Sequence, residues 1–374
     1  MSIKVGVIGT GIMGSRHIGF LRQIPERFEV TALCDTDEAK LRAADAQGAA
    51  LFADYRKLVD SGLCQAVVVA TPHPCHAEIS EYALKHGLHC LCEKPLSETV
   101  AKIDALIRAA AESGKVFCTN FSMRTQARVK KVREWMVEKR LGDIIRVDCV
   151  CTRWLRAQAY YEGQAWRGSW QGEGGGILMN QTPHNLDLLY HWFGEMKSVT
   201  ARLSIRMHDI EVEDEVYAVI QTKAGFPIRF YANTGEAPGE DRVEIVCDRG
   251  TLITSVDQDG QYILLRRLDQ SVSEMLAGEA AFPEAHAEEE ELSTAGFSSG
   301  GAKEIWENFA DAIEQGKPLL APGAEGIHAV ELANAMTLSH FTKRDVELPV
   351  DRQEYDALLA QLRNGQKSLK EQRL

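Results

Sequence analysis

Residues 9–14 read Gly9-Thr10-Gly11-Ile12-Met13-Gly14, a G-x-G-x-x-G spacing that follows an apolar run and opens a helical pattern. In such an arrangement Gly9 permits a tight turn, Gly11 lets a pyrophosphate approach the backbone, and Gly14 lets the helix pack close to the sheet. The helix N-terminus adds unpaired N–H groups and a partial positive charge, which suit an anion. Asp35 lies 21 residues beyond Gly14, at the end of the next apolar run. A carboxylate there accepts both hydroxyls of a ribose and repels a 2′-phosphate. No arginine follows it in Thr36-Asp37-Glu38. The spacing predicts a dinucleotide site built by Gly9, Thr10, Gly11, Ile12, Met13, Gly14 and Asp35, with NAD favoured over NADP. An exposed helix N-cap is the alternative role for Asp35.

The elements that must position these residues are legible as apolar runs. Ile3 to Ile8, Val30 to Cys34, Gln65 to Thr71, His89–Cys92 and Val116–Asn120 are apolar enough to be covered on both faces, as parallel strands require. Helical patterns run from Ile12 through Leu21 and over Glu38–Gln47, His76–His86 and Ser97–Ser113. This alternation predicts a doubly wound parallel sheet over residues 1–122. After about residue 120 the rhythm changes. A helix over 124–140 precedes runs at Ile144–Trp154, Val199–Arg206, Val212–Lys223, Ile228–Asn233, Val243–Cys247, Thr251–Ser255 and Tyr262–Leu268. The turns Ala-Gly-Phe-Pro, Asp-Arg-Gly and Gln-Asp-Gly mark a largely antiparallel sheet. Residues 123–350 thus read as an α+β domain with a large open sheet, and 351–374 as a charged helical tail. Residues 271–300, with the acidic run Glu288–Glu291 and the polar Ser298-Ser-Gly-Gly301, read as one long loop. Helices return at Ala302–Gln315 and Gly323–Thr342.

Length and composition bound the function. The chain has 374 residues, 45% hydrophobic and 26% charged, which excludes fibrous and disordered classes. Its net charge of −12 argues against non-specific binding to nucleic acid or to anionic membranes. No run approaches 18 uncharged apolar residues, so no membrane partner is expected. The nine cysteines lie mostly in apolar runs and read as reduced thiols. The N-terminus runs straight into a strand pattern, and a cytoplasmic location is expected. His73-x-x-His76 and Cys90-x-Cys92 have no further pair at zinc-like spacing, so no metal is expected.

Two further stretches complete a recognisable set: Ala70-Thr71-Pro72-His73-Pro74-Cys75-His76 and Gly87-Leu-His-Cys-Leu-Cys-Glu93-Lys94-Pro95. Together with Gly174-Gly-Gly-Ile-Leu-Met-Asn180-Gln-Thr-Pro-His184-Asn-Leu-Asp187, they make the chain closely resemble the Gfo/Idh/MocA oxidoreductases over most of its length. The resemblance implies a Rossmann domain followed by an α/β domain with an open sheet. It also implies dehydrogenase activity on a sugar, glycoside or polyol. Thr71, Pro72, His76, Glu93 and Lys94 then join the cofactor set, and Trp166 and Arg167 lie beside the cofactor or the substrate. By the same resemblance Lys94 lies between nicotinamide and substrate, and His184 faces the reacting hydroxyl. The chemistry suits them, because a neutral imidazole serves as general base and an ammonium stabilises an alkoxide. Asn180 replaces the aspartate common in the family and cannot ionise, so it can only hydrogen-bond a substrate hydroxyl. Pro183 fits a helix only in its first turn, which places Asn180 before the helix and His184 just inside it.

The segment 153–170 is dense in aromatics and arginines, a composition that matches sugar rings, hydroxyls or phosphates. Arg153, Trp154, Arg156, Tyr160 and Tyr161 are therefore expected to bind substrate, together with Arg124, Lys94, Asn180 and His184. The expected assembly is a homo-oligomer, dimer or tetramer, joined through the open sheet. Two alternatives to a dehydrogenase share the motifs: an NAD-assisted glycosidase that oxidises, eliminates and re-reduces, and a catalytically idle NAD sensor.

Overall fold

The structure, a computed structural model, describes residues 2–164, 166–257, 260–292 and 300–370. The chain divides into two compact units. The first comprises Met1–Thr125, Gln171–Gly174 and Gly300–Glu331; the second comprises Gln126–Trp170, Gly175–Ser299 and Leu332–Leu374.

In the first unit β1 (Ile3–Ile8), β2 (Phe28–Cys34), β3 (Ala50–Phe52), β4 (Ala66–Val69), β5 (His89–Cys92) and β6 (Phe117–Thr119) form one sheet in the order β3-β2-β1-β4-β5-β6. Every pairing is parallel. All four residues of β4 are buried. Helices α1 (Ile12–Leu21), α2 (Glu38–Ala43), α3 (Tyr55–Asp60), α4 (His73–Lys85) and α5 (Val100–Ser113) supply the crossovers. The strand order reverses between β1 and β4, which makes the loops after those two strands the place where such sheets bind ligands. The glycine turn and Thr71-Pro72 occupy these two loops. Strand β3 and helix α3 escape a reading of the sequence, because each is short and β3 is only half-buried. Helix α4 starts three residues earlier than the pattern indicates, with Pro74 tolerated in its first turn.

The second unit holds β7 (Ile144–Cys151), β8 (Met196–Ser204), β9 (Glu215–Thr222), β10 (Pro227–Asn233), β11 (Asp241–Cys247), β12 (Gly250–Asp257), β13 (Gly260–Leu268), β14 (Ala287–Leu292) and β15 (Val346–Glu347). They make a nine-stranded sheet in the order β14-β13-β12-β11-β7-β10-β9-β8-β15. The pairing of β7 with β10 is parallel, and the rest are antiparallel. Strand β9 alternates from Val216 to Thr222, with Val216, Ala218 and Ile220 buried and Tyr217 and Val219 exposed. One face of the sheet is therefore core and the other open. Helices α6 (Ala127–Val137), α7 (Gln158–Glu162), α8 (Ile177–Asn180) and α9 (Pro183–Phe193) belong to this unit.

Residues 271–292 are not loop throughout, as the sequence had indicated. Ser271 and Glu274 form a capping box that starts a helix at Val272–Ala277, and Glu288–Glu291 lie in β14, paired to the edge of β13. Hydrophobic periodicity cannot reveal such an edge strand, because Ala287–Glu291 are exposed on both faces and are held by backbone pairing with a surface ion pair from Arg266 to Glu289. Ser298 and Ser299, and Gln258 and Asp259 of the third expected turn, lie outside the described residues. The terminal helix runs over Arg352–Arg363 and buries Tyr355, Leu358, Leu359 and Leu362, so it is amphipathic rather than a charged tail. Eight of the nine cysteines are buried, packed as small hydrophobes. Among the described residues no helix is long and apolar enough to cross a membrane, and no group of three or more His, Cys, Asp or Glu side chains is placed to hold a metal ion.

Candidate active site

The glycine turn is built by close approach. Gly9 has a φ of +90°, and a Cβ there would stand 2.5 Å from the Ala70 carbonyl oxygen. A Cβ on Gly14 would stand 1.8 Å from the Gly9 carbonyl oxygen. Both positions thus require glycine for the turn itself. Gly11, the N-cap of α1, differs: a Cβ there would meet nothing within 4 Å. The backbone at Gly11 faces open space beside the unpaired N–H groups of the first helical turn, the geometry a pyrophosphate needs. The residues present thus fit a dinucleotide.

Asp35 stands at the carboxyl end of β2 and is tied to this turn. Its Oδ2 accepts from the Thr10 backbone N–H at 2.8 Å and from Thr10 Oγ1 at 3.1 Å, and its Oδ1 accepts from the Asp37 N–H at 2.9 Å. The N-cap of α2 is Asp37, whose carboxylate accepts from Ala39 and Lys40. Asp35 therefore orders the glycine turn rather than capping the helix.

Glu93-Lys94-Pro95 leaves the carboxyl end of β5, on the same sheet edge as the glycine turn. Glu93 is 4% exposed and its charge is fully engaged. Oε1 accepts from Asn120 Nδ2 at 2.7 Å and faces His17 Nε2 at 2.8 Å, while Oε2 accepts from the Lys94 backbone N–H at 3.2 Å. Trp306 Nε1 points to His17 Nδ1 at 3.0 Å. An indole N–H can only donate, so Nδ1 accepts and the imidazole proton sits on Nε2, directed at Glu93. Burial alone would raise the Glu93 pKa. The hydrogen bond from His17, the Lys94 charge and the Asn120 amide outweigh it and hold the carboxyl down to about 2. Half-buried Lys94 thus follows directly on a buried carboxylate anchored by His17 of α1 and by Asn120 just after β6, with His17 itself held by Trp306 of the helix Ala302–Gln315.

His76 is buried with Nδ1 2.7 Å from the Pro95 carbonyl and Nε2 2.7 Å from the Thr71 carbonyl. Burial pushes its pKa down against these two carbonyls. A neutral ring donates to one of them at a time. His76 thereby fastens the loop after β4 to the residue following Lys94. Arg124 is buried and committed inside its own unit, to Glu325 and to the Leu320 carbonyl at 3.3 Å.

In the second unit the Gly175–Asn180 stretch is shaped by Glu213. Its Oε1 accepts from Gly176 N–H at 2.8 Å and Leu178 N–H at 3.2 Å, capping α8. A Cβ on Gly176 would lie 1.9 Å from the Glu213 carbonyl oxygen, which explains glycine there. Asn180 is the last residue of α8; Pro183 opens α9 and His184 follows it, as the proline geometry requires. Both Asn180 and His184 are half-buried. Gln181 Nε2 donates to the Tyr160 hydroxyl at 3.5 Å. Tyr161 is buried, with its hydroxyl 3.3 Å from Thr234 Oγ1 and its ring against His208.

Asp241, at the start of β11, is also buried here. Burial raises its pKa to about 6 against the pull of Arg153, Arg128 and the Asn185 amide. Arg128 is itself buried, which lowers its pKa to about 10. It donates to Thr254 Oγ1 at 2.9 Å. A reading of the sequence misses His17, Asn120, Trp306, Glu213 and Asp241. Their one local signal is a polar residue on an apolar face, as with His17 beside Gly14, Ile18 and Leu21 on the buried side of α1.

Residues 3–121 match the oxidoreductase family described as GFO/IDH/MocA with an NAD-binding Rossmann fold, and residues 129–253 match its C-terminal domain. The chain belongs to this family. It is an NAD(P)-dependent oxidoreductase, and both sheets have the architecture the motifs led us to expect. Among curated relatives it is 24% identical over 357 residues to scyllo-inositol 2-dehydrogenase (NADP(+)) of Bacillus subtilis, covering 93% of this chain and 96% of that one. It is 29% identical over 199 residues to 1,5-anhydro-D-fructose reductase of Ensifer adhaerens, covering 53% and 59%. Among solved structures the WlbA dehydrogenase of Chromobacterium violaceum, in complex with NADH and UDP-GlcNAcA, superposes with a TM-score of 0.79 at 25% identity, covering 94% and 97%.

Proposed function

We propose that this oxidoreductase moves a hydride between NAD and a secondary hydroxyl or ketone of a sugar, glycoside or cyclic polyol. The observation that carries the reading is Lys94, held on the sheet edge of the glycine turn by a buried, ionised Glu93. The nicotinamide would supply the hydride acceptor or donor. Gly9–Gly14 would hold its pyrophosphate, Asp35 its ribose, and Thr71, Pro72, His76, Glu93 and Lys94 the remainder of the cofactor, with Trp166 and Arg167 beside the cofactor or the substrate.

His184 takes the hydroxyl proton as a neutral imidazole, and the Lys94 ammonium stabilises the alkoxide as it develops. Asn180 orients a substrate hydroxyl without taking a proton. The choice of NAD rests on Asp35, whose carboxylate would meet a 2′-phosphate with like charge. Relatives that act on inositol and anhydrofructose support the substrate class. The thiol-rich composition supports a reducing cytoplasm. The open face around Tyr217 and Val219, 51% and 44% exposed, supports a homo-oligomer joined through that sheet.

The test is a stereochemically varied polyol and glycoside panel, read by NADH absorbance with product analysis. NADH formed in step with a ketone product is the expected result. A glycoside split without net NADH, or no turnover on any member, would overturn the reading.

A further inference from the structure

Between β7 and α8 the second unit carries a run of alternating cations and rings. The Arg153 guanidinium carbon lies 4.5 Å from the Trp154 ring centre, and that of Arg156 lies 5.5 Å from Trp154 and 4.8 Å from Tyr160. Arg167 follows at 4.1 Å from Tyr160 and 4.6 Å from Trp166. The rings therefore support guanidiniums and hold three positive charges in one place.

Two of these three charges are unmatched by a carboxylate among the described residues. Arg153 is the one that is paired, its Nε 3.4 Å from Oδ2 of the buried Asp241. Arg156 Nη1 donates to the Leu155 carbonyl at 3.0 Å, and Arg167 Nη1 to the Tyr160 hydroxyl. Among the described residues no carboxylate lies within 4.0 Å of either guanidinium, although acids outnumber bases in the chain by 54 to 42. Arg156 Nε and Trp154 Nε1 are buried donors with no hydrogen-bond partner among the described residues. Desolvated donors left without an acceptor are costly, and retained ones call for a ligand acceptor.

Two contacts set this cluster beside the α8–α9 junction. Gln181, next to Asn180, reaches the Tyr160 hydroxyl, and Asn185, next to His184, stands against Asp241. We infer that the substrate is an anionic sugar, bearing a carboxylate or phosphate that Arg156 and Arg167 grip while the reacting hydroxyl lies toward Asn180 and His184. Planar guanidiniums stacked on rings lose little freedom on binding such a group and meet it with paired N–H donors. The inference rests on the oxidoreductase reading for where the reacting hydroxyl lies, and on the arginines for the charge.

The experiment compares D-glucose with D-glucuronate and D-glucose 6-phosphate, and D-galactose with D-galacturonate. Each is titrated by calorimetry into NAD-saturated protein and followed separately by NADH absorbance. The wild type should bind a charged member at least about tenfold more tightly than its neutral partner. The carboxylate and phosphate arms identify which anion is read. Arg156→Gln and Arg167→Gln should each weaken the charged member by about 10- to 100-fold. Arg156→Lys, which keeps the charge but not the fork, should fall between, with an unchanged melting temperature in all three. Neutral sugars bound or oxidised as well as their charged partners, no binding by any charged member, or glutamine variants that bind like the wild type would each overturn the inference. Arginine-dependent binding of the charged member without NADH would sustain it and remove the dehydrogenase reading instead.

Discussion

Gly11→Val separates the ligand role of the glycine turn from its structural role. The backbone of Gly11 has φ −65° and ψ −160°, which any L-residue adopts, and the space its Cβ would enter is open. The substitution should therefore change stability by no more than about 1 kcal/mol, the scale of an N-cap exchange. Its branched side chain would occupy the path by which a pyrophosphate reaches the helix N-terminus. Charge-assisted hydrogen bonds are worth about 1.5–3 kcal/mol each, so losing two of them costs about 3–6 kcal/mol. NADH affinity should then fall about 10²- to 10⁴-fold. Gly14→Ala provides the contrast, because its Cβ would lie 1.8 Å from the Gly9 carbonyl oxygen and the turn itself must give way. Overpacking of that kind costs about 1–3 kcal/mol or more and should lower the melting temperature. Calorimetric titration with NADH and a thermal melt on both variants read the two effects. A Gly11→Val protein that binds NADH like the wild type would show that the turn does not hold the dinucleotide.

Other consequences follow from the same geometry. Asp35→Ala should narrow the preference for NAD over NADP in paired titrations and weaken both by freeing Thr10; a wild type that already prefers NADP would refute the ribose role. Glu93 has a depressed pKa, so its contribution to stability is full above the ordinary carboxylate range near pH 4.3 and is lost as pH falls toward about 2. Glu93→Gln should flatten that acid limb in melts recorded between pH 5 and 2, and an unchanged limb would discount the network. Asp241 has the opposite sign: its raised pKa gives stability below about pH 4 that is lost as pH rises through about 6. Asp241→Asn should remove that loss, as melts at pH 4 and pH 7 would show. Light scattering should give a mass above one chain for the wild type and a lower mass for Tyr217→Glu with Val219→Arg; a wild-type monomer would remove the sheet-face assembly.

What the sequence disclosed and what it withheld divide along physical lines. Strands β1, β4 and β5 are apolar on both faces, and that pattern has few other meanings. The glycine turn was equally legible, because its spacing answers to backbone clashes that only glycine avoids, at Gly9 and Gly14. Pro183 located His184 within its helix for a similarly local reason. The partners of Glu93 were hidden, since His17, Asn120 and Trp306 come from three distant parts of the chain and meet only in the folded sheet. Asp241 and Arg128 were hidden for the same reason. Strand β14 was misread because an acidic edge strand is held by main-chain pairing, which leaves no mark on side-chain periodicity. The sequence shows that 153–170 is dense in aromatics and arginines but not that the guanidiniums stack on the rings, which is set by rotamers rather than by composition.

The central claim is that Lys94 and His184 carry out the proton and charge work of an NAD-dependent alcohol oxidation. The most direct measurement is kcat for Lys94→Ala and His184→Ala on the best substrate of the polyol panel, alongside their affinity for NADH. Loss of a general acid or base typically lowers the rate by about 10²- to 10⁴-fold. Each variant should fall in that range with NADH affinity changed little. The double variant should lose less than the product of the two single losses, because the groups act as a unit. A His184→Ala protein that turns over at the wild-type rate would contradict the account.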